Sequence, residues 1–204
     1  MTQDHLFAQL KHPNPHLRDR AMLEIAETRD SETISKLMSA LDDEDVVYRR
    51  AAVKALGVIG QDAIPSIVDG MLNSENITVK GSCVKALTQV ALNYPELPFP
   101  EAGLQGLKQA INDPNPVVYI ATVMTLGEIG EAGLDILTET LATTDNPALG
   151  VSIVNALAAV GDERSAEVLN KVVNDESVDP YVKETAISAL SRLELVAKYK
   201  RVES

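Results

Sequence analysis

Tryptophan is missing from this chain, and aromatic side chains of any kind are scarce, with two Phe and five Tyr in 204 residues. A β-sandwich or barrel of this length fills its pleated faces with aromatic and β-branched residues, so the composition argues against an all-β fold. There is one cysteine, Cys83, and therefore no intramolecular disulfide. No run approaches 18 uninterrupted apolar residues, so no membrane insertion is expected. Met1 to Leu10 carries Asp4 and lacks an apolar core, so no secretory signal is expected either. Histidine is limited to His5, His12 and His16. Only His12 and His16 have helical i, i+4 spacing, and Pro13 and Pro15 interrupt the regular helix a zinc pair needs, so no metal site is expected. Positive charge is in deficit, at 18 Lys and Arg against 30 Asp and Glu, a net charge of −12. That balance disfavours general affinity for nucleic acid or anionic membrane. Neither a phosphate-binding loop, nor a dinucleotide glycine pattern, nor a Ser/His/Asp order occurs. The expected setting is soluble, reducing and cytoplasmic.

What the chain does have is alanine, leucine and valine in a repeat. Six segments align: Leu6–Thr28, Leu37–Gly60, Val68–Ala91, Leu107–Gly130, Leu137–Gly161 and Leu169–Glu194. Each reads as the end of one helix, a polar turn, and a second helix. The turns (KHPNPH, DDEDV, NSENI, NDPNP, TTDNP, NDESVDP) hold the Asp, Asn, Ser and Pro that stop one helix and cap the next. In the second helix the first apolar residue after the turn, position zero, is Leu17, Tyr48, Val79, Val118, Leu149 or Val182. Position four holds Ala21, Ala52, Cys83, Thr122, Ile153 and Ala186. Position eight holds Ile25, Leu56, Leu87, Leu126, Leu157 and Leu190. This i, i+4, i+8 run is one buried helical face, and Gly60, Gly130 and Gly161 close three of the helices. Position one holds Arg18, Arg49, Lys80, Tyr119, Gly150 and Lys183. A turn Asp, then Val-Arg, then Ala and a closing Ala-Leu-Gly resembles the HEAT repeat. The pattern predicts an all-α fold: a HEAT-repeat, armadillo-like, right-handed superhelical solenoid of about six helix pairs. One domain spans 1–204 and ends in a short basic tail, 195–204. A lone helix pair cannot bury its apolar stripe, whereas stacked pairs share one core.

The spacing breaks once. Between repeats three and four lies NYPELPFPE, Asn93–Glu101, where Pro95, Pro98 and Pro100 forbid a continuous helix. This segment is either a longer connection that tucks Phe99 into the stack or a loop that touches a partner. Cys83, at the small core position, reads as a buried, inert thiol.

In stacked repeats the exposed face of the second helices is where partners bind. Positions two and six place Arg50, Lys54 and Lys85 there in repeats two and three, beside Arg49 at position one. In repeats four and five they place Ile120, Met124, Val151 and Asn155. A basic patch thus adjoins an apolar one. Either this is a binding surface, since Ile, Met and Val facing only water would cost solubility, or the basic residues are a solvated face and the apolar ones pack against a neighbouring repeat or a terminal cap. Tyr119, Glu128, Asp145 and Asn146 are near enough in sequence to supply polar contacts. Repeat one begins with Leu6, Phe7 and Leu10 and nothing before them, which makes these residues candidates for a heterodimer interface at the end of the stack.

Asn115–Asn170, from NPVVYIATVMTLGEIGEAGLDILTETLATTDNPALG to the AEVLN that ends it, resembles the F subunit of the E/F-type phycocyanobilin lyases. Length, six HEAT-like repeats and the basic ending KYKR, Lys198–Arg201, are also similar. The resemblance implies a heterodimer with a paralogous HEAT-repeat E-type subunit. Such a pair is a carbon–sulfur lyase that attaches phycocyanobilin, as a substrate and not a cofactor, to a cysteine of the phycocyanin α subunit, and can transfer or remove it. It places the protein in phycobilisome assembly and names no catalytic acid or base. On this reading Arg50, Lys54 and Lys85 face propionates or an acidic partner, and Ile120, Met124 and Val151 touch bilin or partner. A non-catalytic HEAT scaffold that binds phycobiliproteins or bilins, in phycobilisome assembly or degradation, remains open. A deoxyhypusine hydroxylase-like iron enzyme is set aside, since the chain has no His-Glu dipeptide.

Overall fold

The turn residues act as their chemistry requires. Asn14, Asp45, Asn76, Asn115, Asn146 and Asp179 each accept, through the side-chain carbonyl or carboxylate oxygen, the amide two residues on, at 2.8–3.1 Å. Those amides belong to the first turn of a helix and have no partner within it. In a computed structural model that describes the backbone of residues 2–202 and the side chains of residues 2–193, this cap starts the second helix of every pair. The pairs are α1 (Gln3–Gln9) with α2 (Pro15–Glu27), α3 (Thr33–Ser39) with α4 (Val46–Ile59), and α5 (Ile64–Asn73) with α6 (Ile77–Asn93). They continue as α7 (Glu101–Ala110) with α8 (Pro116–Ile129), α9 (Glu131–Thr143) with α10 (Pro147–Val160), and α11 (Glu163–Asn174) with α12 (Pro180–Val202). Four of the second helices begin on proline, whose missing N–H is no loss there. The fold is all-α, as the repeat predicts.

The predicted inner face is the core. Position four is buried in all six repeats, and position eight is buried in the first five and half-buried at Leu190. Thr122, the polar exception, donates its hydroxyl to the Val118 carbonyl at 2.9 Å. Position zero is less uniform: Val118, Leu149 and Val182 are buried, while Leu17 in the first repeat is exposed.

Two glycines are held by backbone shape. Gly60 (φ 74°, ψ −133°) and Gly130 (φ 83°, ψ −135°) sit where a side chain is strained. A Cβ at Gly60 would also come within 2.7 Å of the Tyr94 ring. Gly60 has a second consequence. Val46–Asn73 is apolar and long enough to cross a membrane by length and composition alone, but the turn at Gly60 divides it into α4 and α5, and 56% of its most apolar window is buried.

The repeat pattern makes no distinction along the chain, whereas the helices group into two compact units, Met1–Thr125 and Leu126–Ser204. In the first, α2, α4 and α6 pack side by side, and α8 joins α6 where the Thr88 and Thr125 hydroxyls meet at 2.7 Å. In the second, α10 and α11 both pack on α12. The proline segment between α6 and α7 is largely exposed, with Phe99 half-buried, and is anchored at two points. The Tyr94 hydroxyl donates to the Val58 carbonyl. The Phe99 ring lies so close to Gly103 that a Cβ there would come within 2.6 Å. Leu97 is left exposed. The expected tail from residue 195 is instead the end of α12, which runs to Val202; no Pro or Gly follows Pro180 to stop it. The side chains of the basic ending Lys198–Arg201 lie outside the described residues.

Candidate ligand and partner surfaces

The first unit carries most of the expected surface. Arg50 and Lys54 on α4 and Lys85 on α6 are exposed. The Lys54 ammonium lies 3.7 Å from the Asp19 carboxylate. On α8, Ile120 and Met124 are 42% and 66% exposed, and Val117 at the start of the same helix is exposed too. Gly81, at the equivalent of Arg50 one repeat on, is buried, with Val117 3.6 Å from where a Cβ would stand.

Two residues expected on this surface turn away from it. The Arg49 guanidinium turns back into its own repeat and donates from one Nη1 to the carbonyls of Asp43 (2.6 Å) and Glu44 (3.1 Å). Tyr119 is buried, because position one faces the turn and not the open face. The heterodimer candidates divide in the same way. Leu6 and Leu10 are buried within the first helix pair, since they carry the apolar stripe of α1, and only Phe7 is partly open.

In the second unit Glu128 and Asp145 are exposed and Val151 is half-buried. Asn155 is exposed and accepts from Arg192 at 3.3 Å. The Asn146 side chain is committed to capping α10, accepting from the amides of Ala148 and Leu149, so it is not a free polar contact.

One feature was not foreseen from sequence. A cavity of about 670 Å³ opens in the second unit between the α9–α10 turn and the α11–α12 turn, with Thr144, Asp145, Gly150, Asp175, Asp179 and Val182 in its wall. The size is that of a small-molecule or side-chain pocket. The sequence held two signals for it: the glycine at position one of repeat five, and a turn before α12 two residues longer than that before α10. A smaller cavity, about 200 Å³, lies by His5 and Leu17 in the first unit.

Charge on the turns is held in place. The Asp43 carboxyl sits below its ordinary range because it accepts the Asp45 amide and the Lys11 ammonium, the latter at 3.1 Å. The same ammonium stands 4.3 Å from the Tyr48 ring centroid. Burial pushes the Cys83 thiol up to about 12, with Asp69 adding to the effect, so this cysteine is a core side chain and not a nucleophile. Among the described residues no group of three or more His, Cys, Asp or Glu is placed to hold a metal ion. His12 uses its Nδ1 to accept the Asn14 amide in the first turn.

The family model described as HEAT repeats matches residues 4–88 and 104–191. Phycocyanin operon protein Z of Pseudanabaena tenuis, itself uncharacterised, is 54% identical over 201 residues, spanning 98% of this chain and 100% of that one. Bilin biosynthesis protein CpeZ of Synechococcus sp. WH8020 is 34% identical over 178 residues, spanning 84% of this chain and 95% of that one. Among solved structures, the complex of CpcE and CpcF of phycocyanin lyase from Nostoc sp. PCC7120 aligns at a TM-score of 0.49 and 19% identity, over 76% of this chain and 96% of that one. The repeat, the capped turns and these end-to-end sequence identities agree: the chain belongs to the HEAT-repeat family and, within it, to the family of phycocyanin operon protein Z and bilin biosynthesis protein CpeZ.

Proposed function

We propose that this protein is one subunit of a heterodimeric phycocyanobilin lyase, acting with a paralogous HEAT-repeat E-type subunit on the phycocyanin α subunit. The observation that carries the reading is the sequence identity with a bilin biosynthesis protein over 84% of the chain. The surface of the first unit suits the substrate. Arg50 and Lys85 offer cations to propionates, and Ile120 and Met124 offer apolar cover to pyrrole rings. In the reaction the acceptor's thiolate sulfur adds to the exocyclic carbon of the bilin's ethylidene group, the carbon–carbon double bond is consumed, and a proton is added to the adjoining ring carbon. No oxidant is needed. Since Cys83 is buried and its thiol stays protonated, the nucleophile belongs to the acceptor. This chain contributes by holding bilin and thiol in register and by excluding water.

The test is co-expression with an E-type partner, the phycocyanin α subunit and a source of phycocyanobilin. A covalent coloured adduct that requires both HEAT chains is expected, and Met124→Asp is expected to reduce its yield. The absence of any adduct with all four components present rejects the lyase reading. The scaffold reading is equally compatible with the inert thiol at Cys83. It predicts that this chain co-purifies with the α subunit or the bilin while no thioether forms.

A further inference from the structure

The turn face is built differently along the chain, and the difference points to a ligand. In repeat one the Arg18 guanidinium donates from Nη1 to the carbonyls of His12 (2.6 Å) and Pro13 (2.9 Å). In repeat two Arg49 makes the same pair of bonds to Asp43 and Glu44. In both repeats the arginine is four residues after the helix cap, and the carbonyls belong to the two residues just before that cap. Repeat five keeps this register. Its cap is Asn146, the corresponding carbonyls are those of Thr144 and Asp145, and the corresponding side-chain position is Gly150. Glycine has nothing to reach them with, and the cavity of about 670 Å³ opens at this place.

We propose that this cavity receives an arginine side chain from a partner protein, its guanidinium taking the position that Arg18 and Arg49 fill from within. By that register the carbonyls of Thr144 and Asp145, two residues of the cavity wall, are the acceptors for a group that is all donor. Asp145, Asp175 and Asp179 stand around them, against a single lysine, Lys171, in the same wall. That balance attracts a cation and opposes a carboxylate, so a propionate is the wrong guest. A purely apolar guest would strip water from the carbonyls without replacing its hydrogen bonds. The wall also carries Val168, Val172 and Val182, which suit the methylene stem of arginine. The cavity is larger than one such side chain and leaves room for the residues flanking it.

The inference concerns partner recognition and stands independently of bilin chemistry, so it is tested without the adduct assay. The full chain, labelled with ¹⁵N, is titrated with N-acetyl-arginine amide, and in parallel with N-acetyl-citrulline amide, the neutral isostere. Saturable shifts are expected for the amides of residues 144–150 and 175–182 with the arginine compound alone. The double variant Asp145→Asn, Asp175→Asn changes two exposed side chains and is expected to weaken that binding roughly tenfold. Equal binding of the citrulline compound, an unchanged affinity in the double variant, or no saturable shift at these amides overturns the proposal. Displacement of the arginine compound by phycocyanobilin overturns it as well, by assigning the cavity to the bilin.

Discussion

The turn face of the first unit is tied shut, whereas that of the second stands open. In the first unit Lys11 reaches Asp43 of the next turn at 3.1 Å, Asn76 reaches back to Asp42, and Lys80 reaches forward to Asp113 at 2.7 Å. The first two links join one repeat's turn to its neighbour's, and the third joins the first turn of α6 to the next turn. In the second unit, among the described residues, no such link joins the Thr144–Pro147 turn to the Asp175–Pro180 turn, and a cavity lies between them. One repeat skeleton thus yields two surfaces. The side chain at position one has a share in the outcome, because Arg18, Arg49 and Lys80 reach a turn from it and Gly150 has no side chain to do so.

The largest effect expected from this difference comes from cutting a tie. Lys80 and Asp113 are the least exposed ion pair described, their side chains 21% and 11% exposed. Asp113 also accepts the Asn115 amide ahead of the α8 cap. Asp113→Ala loses both bonds and leaves the Lys80 ammonium half-buried, and is expected to cost about 3 kcal/mol. Thr144 holds the equivalent place in repeat five but accepts only the Asn146 amide, at 3.1 Å. Thr144→Ala is therefore expected to cost about 1 kcal/mol. Urea unfolding of the two variants measures the gap, and equal costs would erase the distinction between the units. Acid sharpens the same test. Burial pushes the Asp113 carboxyl up, but the bonds from Lys80 and the Asn115 amide outweigh it and hold the group below its ordinary range. A depressed carboxyl stabilises the fold above its unfolded pKa, near 3.9, and that contribution is lost as pH falls through the folded value. The stability difference between the wild type and Asp113→Asn should accordingly shrink below about pH 4.

A smaller effect is expected from closing what is open. A Cβ at Gly150 would lie 3.0 Å from a Val182 methyl, so Gly150→Arg alone meets resistance. In a Val182→Ala background the methyls are gone and the new guanidinium has the carbonyls of Thr144 and Asp145 within its register. Gly150→Arg is expected to raise the stability of Val182→Ala by about 1 kcal/mol, from two charge-assisted hydrogen bonds and the loss of a glycine in the first turn of α10. Thermal unfolding of the single and double variants reads this. A double variant less stable than Val182→Ala would show that the repeat-five turn does not share the geometry of repeat two.

These contrasts mark how far sequence carries. The helix pairs, their caps and the buried stripe at positions four and eight were legible because caps and periodicity are local and recur six times. Arg50, Lys54, Lys85, Ile120 and Met124 were placed on an open face by helical phase alone, and they are exposed. Arg49 and Tyr119 were not separable from that face, since position one borders it by angle while an arginine there folds back onto carbonyls five and six residues earlier in the turn behind it. Leu6 and Leu10 were not separable from Phe7 by sequence, since only the packing of α1 on α2 shows that they are buried within their own pair. The cavity depends on what is missing at Gly150 and on the length of a turn 25 residues later. Neither signal has meaning until the two turns are neighbours in space.

The smallest expected effect bears on how tightly the first unit is sealed. Cys83 is fully buried, and its sulfur lies 3.0 Å from where a Cβ on Gly70 would be. With burial pushing the thiol up to about 12, the group stays protonated at pH 8. Cys83→Ala removes one sulfur from the core and is expected to cost about 1 kcal/mol, leaving bilin adduct yield unchanged. In the wild type, a thiol reagent at pH 8 should label Cys83 at the rate at which the first unit opens, and urea should accelerate labelling in step with unfolding. Rapid labelling in the absence of denaturant would mean that the ties along the turns do not keep this unit closed. The contrast with the second unit would then rest on side-chain reach alone and not on stability.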